Sequence, residues 1–330
     1  MPNRLLFLCT LILFFGCQKK ACEISNEIRN LPVDVQIERL EKPFFSIQTR
    51  EDVVRFLNDH PAFSSQFLRR DAYPSDSILV RSLFSLAQDT SVHTLVKETN
   101  HRFENIDDLE RDLELALKHV RYYFPDFQVP QVKTYISGLG QDVFVNDSLM
   151  VLGLDFFVGK EASYLPQVPQ YIQRRYEKEY IVPSAMLLVS NKYNRTSITN
   201  KSMLAEMIYF GKAYYFVEKM MPCTPDSLII GYTDQQTADV KYNEGKVWAH
   251  FVEKGLLYET NHFQVSKYIG ERPNIPEISP NAPGRIAAWV GWQIVRKYMQ
   301  EHPEVTLAQL MAEPDPQKIF THSKYKPKKR

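Results

Sequence analysis

One cysteine near the start of the chain lies in surroundings that predict a chemical modification. Cys17 follows Gly16, and an apolar run from Leu5 to Phe15 precedes that pair. The run is too short for a spanning helix, which needs about 20 apolar residues. A charged start and a small residue before the cut are typical of a cleaved signal peptide. We therefore expect a bacterial lipoprotein signal at residues 1–16 and acylation of Cys17 with chains such as palmitate; the alternative is an ordinary signal with an incidental cysteine.

The remaining cysteines leave one redox question open. Of the four in the chain, Cys9 lies inside the signal and Cys17 would be acylated, so Cys22 and Cys223 remain. An exported protein meets an oxidising compartment, where such a pair can form a disulfide. Because Cys22 lies in a polar segment that resembles a flexible tether, two free thiols are the other possibility.

The histidines and the glycine motifs predict no metal or cofactor site. None of the eight histidines belongs to an HExxH motif or to an i, i+4 pair, whereas zinc needs several ligands that converge on one ion. His250 lies beside Trp248 and Phe251, which is more typical of a surface or partly buried side chain than of a ligand. Because GxSxG, Walker A, CxxC and GxGxxG motifs are also absent from the sequence, we predict no cofactor and no catalytic residue.

The spacing of apolar residues predicts the clearest helix at residues 106–124. Apolar residues recur there at intervals of three and four, from Ile106 to Phe124; Asn105 can cap the start, and Pro125 follows the end. Thr49 with Asp52, and Thr233 with Gln236, predict two further helix starts. Other helices are expected at 183–194, 200–221, 234–255, 284–300 and 305–312, and Gly284 and Gly291 in the fourth favour close helix packing.

Alternating and β-rich segments predict a small sheet. Val33, Val35 and Ile37 alternate with polar residues, and further strands are expected at 132–138, 142–147 and 149–159 as a small meander. With the helices, this predicts an α+β, mainly helical fold in which helices pack on a small sheet.

Composition limits the class of protein and its domain organisation. With 40 basic and 39 acidic residues, the chain has no overall field that favours nucleic acid. Its 44% hydrophobic content is typical of a globular protein. We expect a signal peptide at 1–16, a lipidated tether at 17–30 and a single domain at 31–330.

Several segments together resemble a known family. They are GLDFFVGKEASYLP (153–166), MLAEMIYFGKAYYFVEKMMP (203–222), NEGKVWAHFVEKGLLYET (243–260) and SPNAPGRIAAWVGWQIVRKYM (279–299). Their order is similar to that of the gliding motility lipoprotein GldB family of the Bacteroidetes. The resemblance implies a lipoprotein needed for surface gliding and associated with the secretion apparatus of gliding bacteria, with no catalytic activity established for the class.

A remoter resemblance is to zincin-like metalloproteases. Met186, Leu187 and Ser190 fall where the HExxH motif would lie, and Phe210 falls where the third ligand would lie. Methionine and phenylalanine cannot replace imidazole or carboxylate around zinc, so this resemblance implies a degenerate zincin-like scaffold that has lost its metal. Arg285, which opposes the dipole at the start of its helix, could still line the old cleft.

These observations predict a non-enzymatic protein of the cell envelope, held in the outer membrane by its lipid and facing the periplasm. Gln18-Lys19-Lys20 carries no acidic cluster after Cys17, which by resemblance to surface-export signals of that phylum favours the periplasmic side. The expected partners are the membrane, other gliding and secretion proteins of the envelope, and peptidoglycan, with nucleic acid excluded. The alternative is a residual zincin-like peptidase or peptidoglycan hydrolase.

Overall fold

A four-stranded sheet lies between two groups of helices in this computed structural model, which describes residues 22–197 and 199–328. The strands are β1 Ile37–Arg39, β2 Gln131–Tyr135, β3 Val143–Val145 and β4 Leu149–Gly153. The fold is α+β and mainly helical, with helices packed on a small sheet, as the sequence predicts.

Sixteen α-helices are formed by the described residues. They are α1 Asn26–Arg29, α2 Glu41–Phe44, α3 Arg50–Asp59, α4 Asp76–Gln88, α5 Thr90–Arg102, α6 Asp107–Tyr123, α7 Gln170–Gln173, α8 Ile181–Ser190, α9 Met203–Met220, α10 Asp226–Ile230, α11 Asp234–Tyr242, α12 Glu244–Glu253, α13 His262–Ile269, α14 Ile286–Glu301, α15 Leu307–Ala312 and α16 Pro316–Ser323.

Strand order is the main departure from the expected meander. The order is β1-β2-β4-β3, with β1 and β4 parallel to β2 and β3 antiparallel to β4. A meander is therefore wrong, because β4 inserts between β2 and β3. The strand expected at 149–159 ends at Gly153 and continues as the 3-10 turn Leu154–Phe157. At Gly153 the backbone lies so close to the carbonyl groups of Gln141 and Asp142 that a side chain would not fit.

The two faces of β4 supply two hydrophobic cores. Leu149 and Val151 pack with α3 and α4 in the smaller core. Met150 and Leu152 point into the larger core, which contains α6, α8, α9 and α14. Because successive strand residues face opposite sides, an uninterrupted apolar strand is what a sheet covered on both faces requires.

Most of the expected helices form, with local corrections. Both capping boxes are present, at Thr49 with Asp52 and at Thr233 with Gln236. The helix expected at 234–255 is divided at Asn243 into α11 and α12. At the start of α6 the N-cap is Ile106, and Asn105 instead accepts a hydrogen bond from the Asp107 amide. The sequence did not predict the remaining helices α1, α2, α7, α10, α13 and α16.

The segment expected as strand 33–38 is mostly unpaired. Val33 and Val35 are buried, as their alternation indicates, but pairing with β2 begins only at Ile37. Alternation therefore predicted which side chains face the core without predicting which strand lies beside them.

A disulfide fastens the N-terminal end of the described chain to the domain. Cys22 and Cys223 are bonded, with their Cα atoms 5.5 Å apart, which decides between the two possibilities left open by the sequence. Ser25 caps α1, whose Ile28 is buried. Residues 22–30 of the expected tether are thus attached to the domain, whereas 17–21 lie outside the described residues.

Two glycines set the closest helix contact of the larger core. Gly211 in α9 faces Gly291 in α14, and a Cβ on either one would overlap backbone atoms of the other helix. Glycine inside a helix costs about 1 kcal/mol relative to alanine, so these positions are explained by packing. Trp289 and Trp292 lie on either side of Gly291 and are fully buried.

One lysine is fully buried beside this contact. Lys212 is 0% exposed, and its Nζ donates to Thr196 Oγ1 at 3.1 Å and to the Glu313 carbonyl oxygen at 2.8 Å. Burial lowers the pKa of Lys212 to about 7, an effect that the Glu313 carboxylate partly offsets. The lysine therefore ties α9 to the loop between α15 and α16.

We expect Gly291→Ala to destabilise the protein by about 1–3 kcal/mol, because the added methyl group overpacks the contact with Met207. The free energy of unfolding by denaturant checks this. Gly255→Ala is the control, since a Cβ there meets nothing within 4 Å and only its φ of +64° opposes the change. An equal loss in both variants would contradict close packing as the cause.

We expect Lys212 to make stability rise with pH between about 7 and 10. Its folded pKa lies below its unfolded value, so the unfolded chain binds more protons in that window. The free energy of unfolding of the wild type relative to Lys212→Met should increase by up to about 1.4 kcal/mol per pH unit there. Lys246→Met, at an exposed lysine of α12, is the control; the same pH dependence in both comparisons would refute the assignment.

Candidate functional site

Three residues of the expected cleft belong to α8. Met186 and Ser190 are both fully buried, and Leu187 packs against the larger core. Ser190 Oγ donates to the Leu187 carbonyl oxygen at 2.6 Å, so its hydroxyl group is used within the helix. These side chains fill the core.

Phe210, the fourth cleft residue, lies on α9 at the edge of the same core. It is half-buried, and its ring lies 5.3 Å from Tyr209 and 6.5 Å from Tyr214, centroid to centroid. In the part of the chain that the structure describes, no three His, Cys, Asp or Glu residues are grouped so that they could hold a metal ion.

Arg285, the fifth cleft residue, lies apart from α8 at the start of α14. Its backbone is left-handed, with a φ of +59°. This conformation is strained for any residue other than glycine. The guanidinium group donates to the Tyr214 hydroxyl at 3.2 Å and to the Ile230 carbonyl oxygen, and its Nε pairs with Glu271 at 3.1 Å. Tyr214 follows Phe210 by one turn of α9, so α9 connects these two positions.

Burial of Arg285 and the groups around it shift the pKa of its guanidinium group in opposite directions. Burial lowers the pKa of its guanidinium group, but Tyr214 and Glu271 more than offset this and leave the pKa above its ordinary value. The group is therefore a permanent positive charge, and the ring of Tyr232 lies 5.7 Å from it.

Two further arginines lie beside Arg285, in a segment where the sequence predicted no site. Arg175 makes a bidentate pair with Glu271, at 2.7 and 2.6 Å. Arg174 Nη2 donates to the Gly231 carbonyl oxygen and to Gln236 Oε1, both at 2.9 Å. We call Arg174, Arg175 and Arg285 the arginine cluster.

The backbone around the cluster is shaped to admit these side chains. Gly231 has a φ of +71°, and a Cβ there would lie 2.6 Å from Cδ of Arg175. Gln236, which the sequence identified as part of a capping box, also orients Arg174. The tandem arginines at 174–175 were the only sequence signal for this site, and nothing local connected them to Arg285.

A second half-buried arginine, on the helix that Arg285 caps, has a complete set of partners. Arg296 Nε donates to Glu218 at 2.8 Å, and its two Nη atoms donate to Asp226 at 2.9 and 2.7 Å. The guanidinium group lies 4.0 Å from the ring of Trp292, whose Nε1 donates to Glu218 as well. Lys241 also pairs with Asp226. The carboxylates of Glu218 and Asp226 thus balance the positive charges of Arg296 and Lys241.

The expected lipidation site, Cys17, lies outside the described residues. The described chain begins five residues later, at Cys22, whose disulfide to Cys223 joins it to the loop that follows α9.

Comparisons with known proteins give one match. No curated protein and no solved structure is similar to this chain, and the zincin-like resemblance finds no support in them. One family model matches, described as gliding motility protein GldB, and the match covers residues 21–327. It therefore includes α8, α9, α14 and the arginine cluster. Because the match extends over nearly the whole sequence, the chain belongs to the gliding motility protein GldB family.

Proposed function

We propose that this chain is a lipid-anchored protein of the bacterial cell envelope, which serves gliding motility as a structural or binding component and catalyses no reaction. The observation that carries the proposal is the family match over residues 21–327. Membership of the family supports involvement in gliding motility. The anchor and the mode of action are inferred from the residues themselves.

Cys17 and the short apolar run that precedes it support a lipid anchor at the N-terminal end. A diacyl or triacyl cysteine satisfies the requirement of two chains for stable attachment to a bilayer. No helix formed by residues 22–197 and 199–328 has the length and hydropathy of a membrane span. In this proposal, attachment depends on the acylated cysteine.

The disulfide supports an exported location. Disulfides persist in oxidising compartments such as the periplasm and are rare in the cytosol, and Cys22 is bonded to Cys223. Within the envelope we place the protein at the outer membrane facing the periplasm, because Gln18-Lys19-Lys20 lacks an acidic cluster after Cys17. Its partners there would be other proteins of the gliding and secretion machinery, and peptidoglycan.

A role without catalysis is supported by what fills the positions of the expected cleft. Met186 and Ser190 are buried in the core, and the ring of Phe210 lies between those of Tyr209 and Tyr214, with an edge-to-face contact to Tyr209. None of these side chains can ligate zinc or activate water in a zincin. A surface that binds a partner needs no such groups.

We expect Cys17→Ser to abolish labelling by a clickable fatty acid and to release the protein from membranes, because serine carries no thiol to acylate. Cells that carry only this variant should lose the spreading of colonies that gliding produces. Labelling is measured on the immunoprecipitated protein, and release by fractionation.

Cys9→Ser is the matched control, since it changes a cysteine of the same N-terminal segment that the proposal leaves unmodified. It should keep both the label and the membrane attachment. If Cys17→Ser protein still carries the fatty acid, the assignment of the lipidated residue is wrong.

We expect the detergent-purified full chain to contain much less than one zinc ion per chain, because the three positions that correspond to zincin ligands, Met186, Ser190 and Phe210, carry no zinc-binding side chain. Elemental analysis after gel filtration measures this. One zinc per chain that disappears in His250→Ala or His262→Ala, but not in the control His93→Ala, would overturn the non-enzymatic proposal.

A further inference from the structure

The arginine cluster carries more positive charge than its surroundings balance. Three guanidinium groups, those of Arg174, Arg175 and Arg285, share the single carboxylate of Glu271. The Arg296 site differs, because there Glu218 and Asp226 match Arg296 and Lys241 in number. The excess charge therefore distinguishes the cluster from the other half-buried arginine site on α14.

Two donors of the cluster are buried without an acceptor. Nε of Arg174 and Nε of Arg175 are both inaccessible to solvent and lack a hydrogen-bond partner among the described residues. Burial lowers the pKa of Arg174, and the neighbouring charges of Arg175 and Arg285 lower it further. A buried polar group is usually hydrogen-bonded, and leaving one unpaired costs about 1–3 kcal/mol.

The start of α14 adds to the same positive field. This helix has 16 residues, no acidic residue in its first turn and no side-chain cap, since its N-cap is Arg285 itself. Helix N-termini favour anions, so an arginine at this point is unfavourable unless a negative group lies nearby. The strained backbone of Arg285 holds its guanidinium group in this position.

The space between these groups is small. A cavity of about 20 Å³ is lined by the arginine cluster, Tyr232, Glu271 and Gly284. That volume holds about one water-sized group. One oxygen of an acidic group can therefore reach the guanidinium groups, while the rest of a ligand would lie outside the cavity.

We propose that the arginine cluster binds an oxyanion, the carboxylate or phosphate group of a ligand, through the guanidinium groups that line this cavity. Planar guanidinium groups match both kinds of oxyanion. The proposal is independent of the lipid anchor and of the non-catalytic role, because it concerns only the charge and the geometry of this cavity.

Thermal unfolding of the full chain in non-ionic detergent tests the proposal. Phosphate, acetate and chloride are added in separate series at constant ionic strength, and the buried tryptophans report unfolding. Since a ligand that binds only the folded state raises its stability, we expect phosphate or acetate to raise the midpoint above the chloride series. Because phosphate also stabilises folded proteins without binding to a site, only a rise that Arg174→Gln reduces is assigned to the cluster. Such a rise with phosphate alone identifies a phosphate site, and one with acetate alone identifies a carboxylate site.

Arg174→Gln should weaken the apparent affinity for that anion at least about tenfold, the loss expected for one charged hydrogen bond. Arg174→Lys keeps the charge without the planar group, and its affinity should lie between those of the wild type and Arg174→Gln. It also keeps the test valid if the glutamine variant folds poorly. Arg81→Gln, at an exposed arginine of α4, should bind as the wild type does. No rise above chloride, or an unchanged affinity in both Arg174 variants, would overturn the proposal.

Discussion

The close contact between α9 and α14 is the constraint on which the larger core depends. Gly211 and Gly291 bring the two helix backbones together so closely that neither position has room for a Cβ. Each glycine lowers helix stability. The close contact offsets this by burying large side chains on both sides, including Trp289 and Trp292. A helix pair fixed in this way has one register, because a shift along either axis would place side chains where only hydrogen fits.

That register also positions the polar groups at both ends of α14. Tyr214 on α9 meets Arg285 at the N-terminus of α14, and Glu218, one turn further along α9, meets Arg296. The two sites are thus built from the same pair of helices with different charge balance. The Arg296 site is neutralised by its own carboxylates and stabilises the packing. The arginine cluster keeps an excess of positive charge, because its additional arginines come from a loop outside the pair.

Local features of the fold could be predicted from the sequence, whereas its long-range arrangement could not. The helix of residues 107–123 and the two capping boxes follow from spacing and side-chain chemistry within a few residues. The position of β4 between β2 and β3 depends on pairing between distant segments, for which the alternation of apolar residues carries no signal. The arginine cluster could not be predicted for the same reason, since Arg174 and Arg285 are 111 positions apart in the sequence.

If Cys17 is acylated as proposed, the Cys22–Cys223 bond limits how far the domain can move from the bilayer. Cys22 lies five positions after Cys17 in the sequence, and a chain of that length spans at most about 18 Å when fully extended. With Cys17 acylated as proposed, the loop after α9 stays within that distance of the lipid headgroups. The domain then samples only a thin layer above the membrane, where its effective concentration toward neighbouring membrane proteins is high. A partner farther from the bilayer would have to extend toward it.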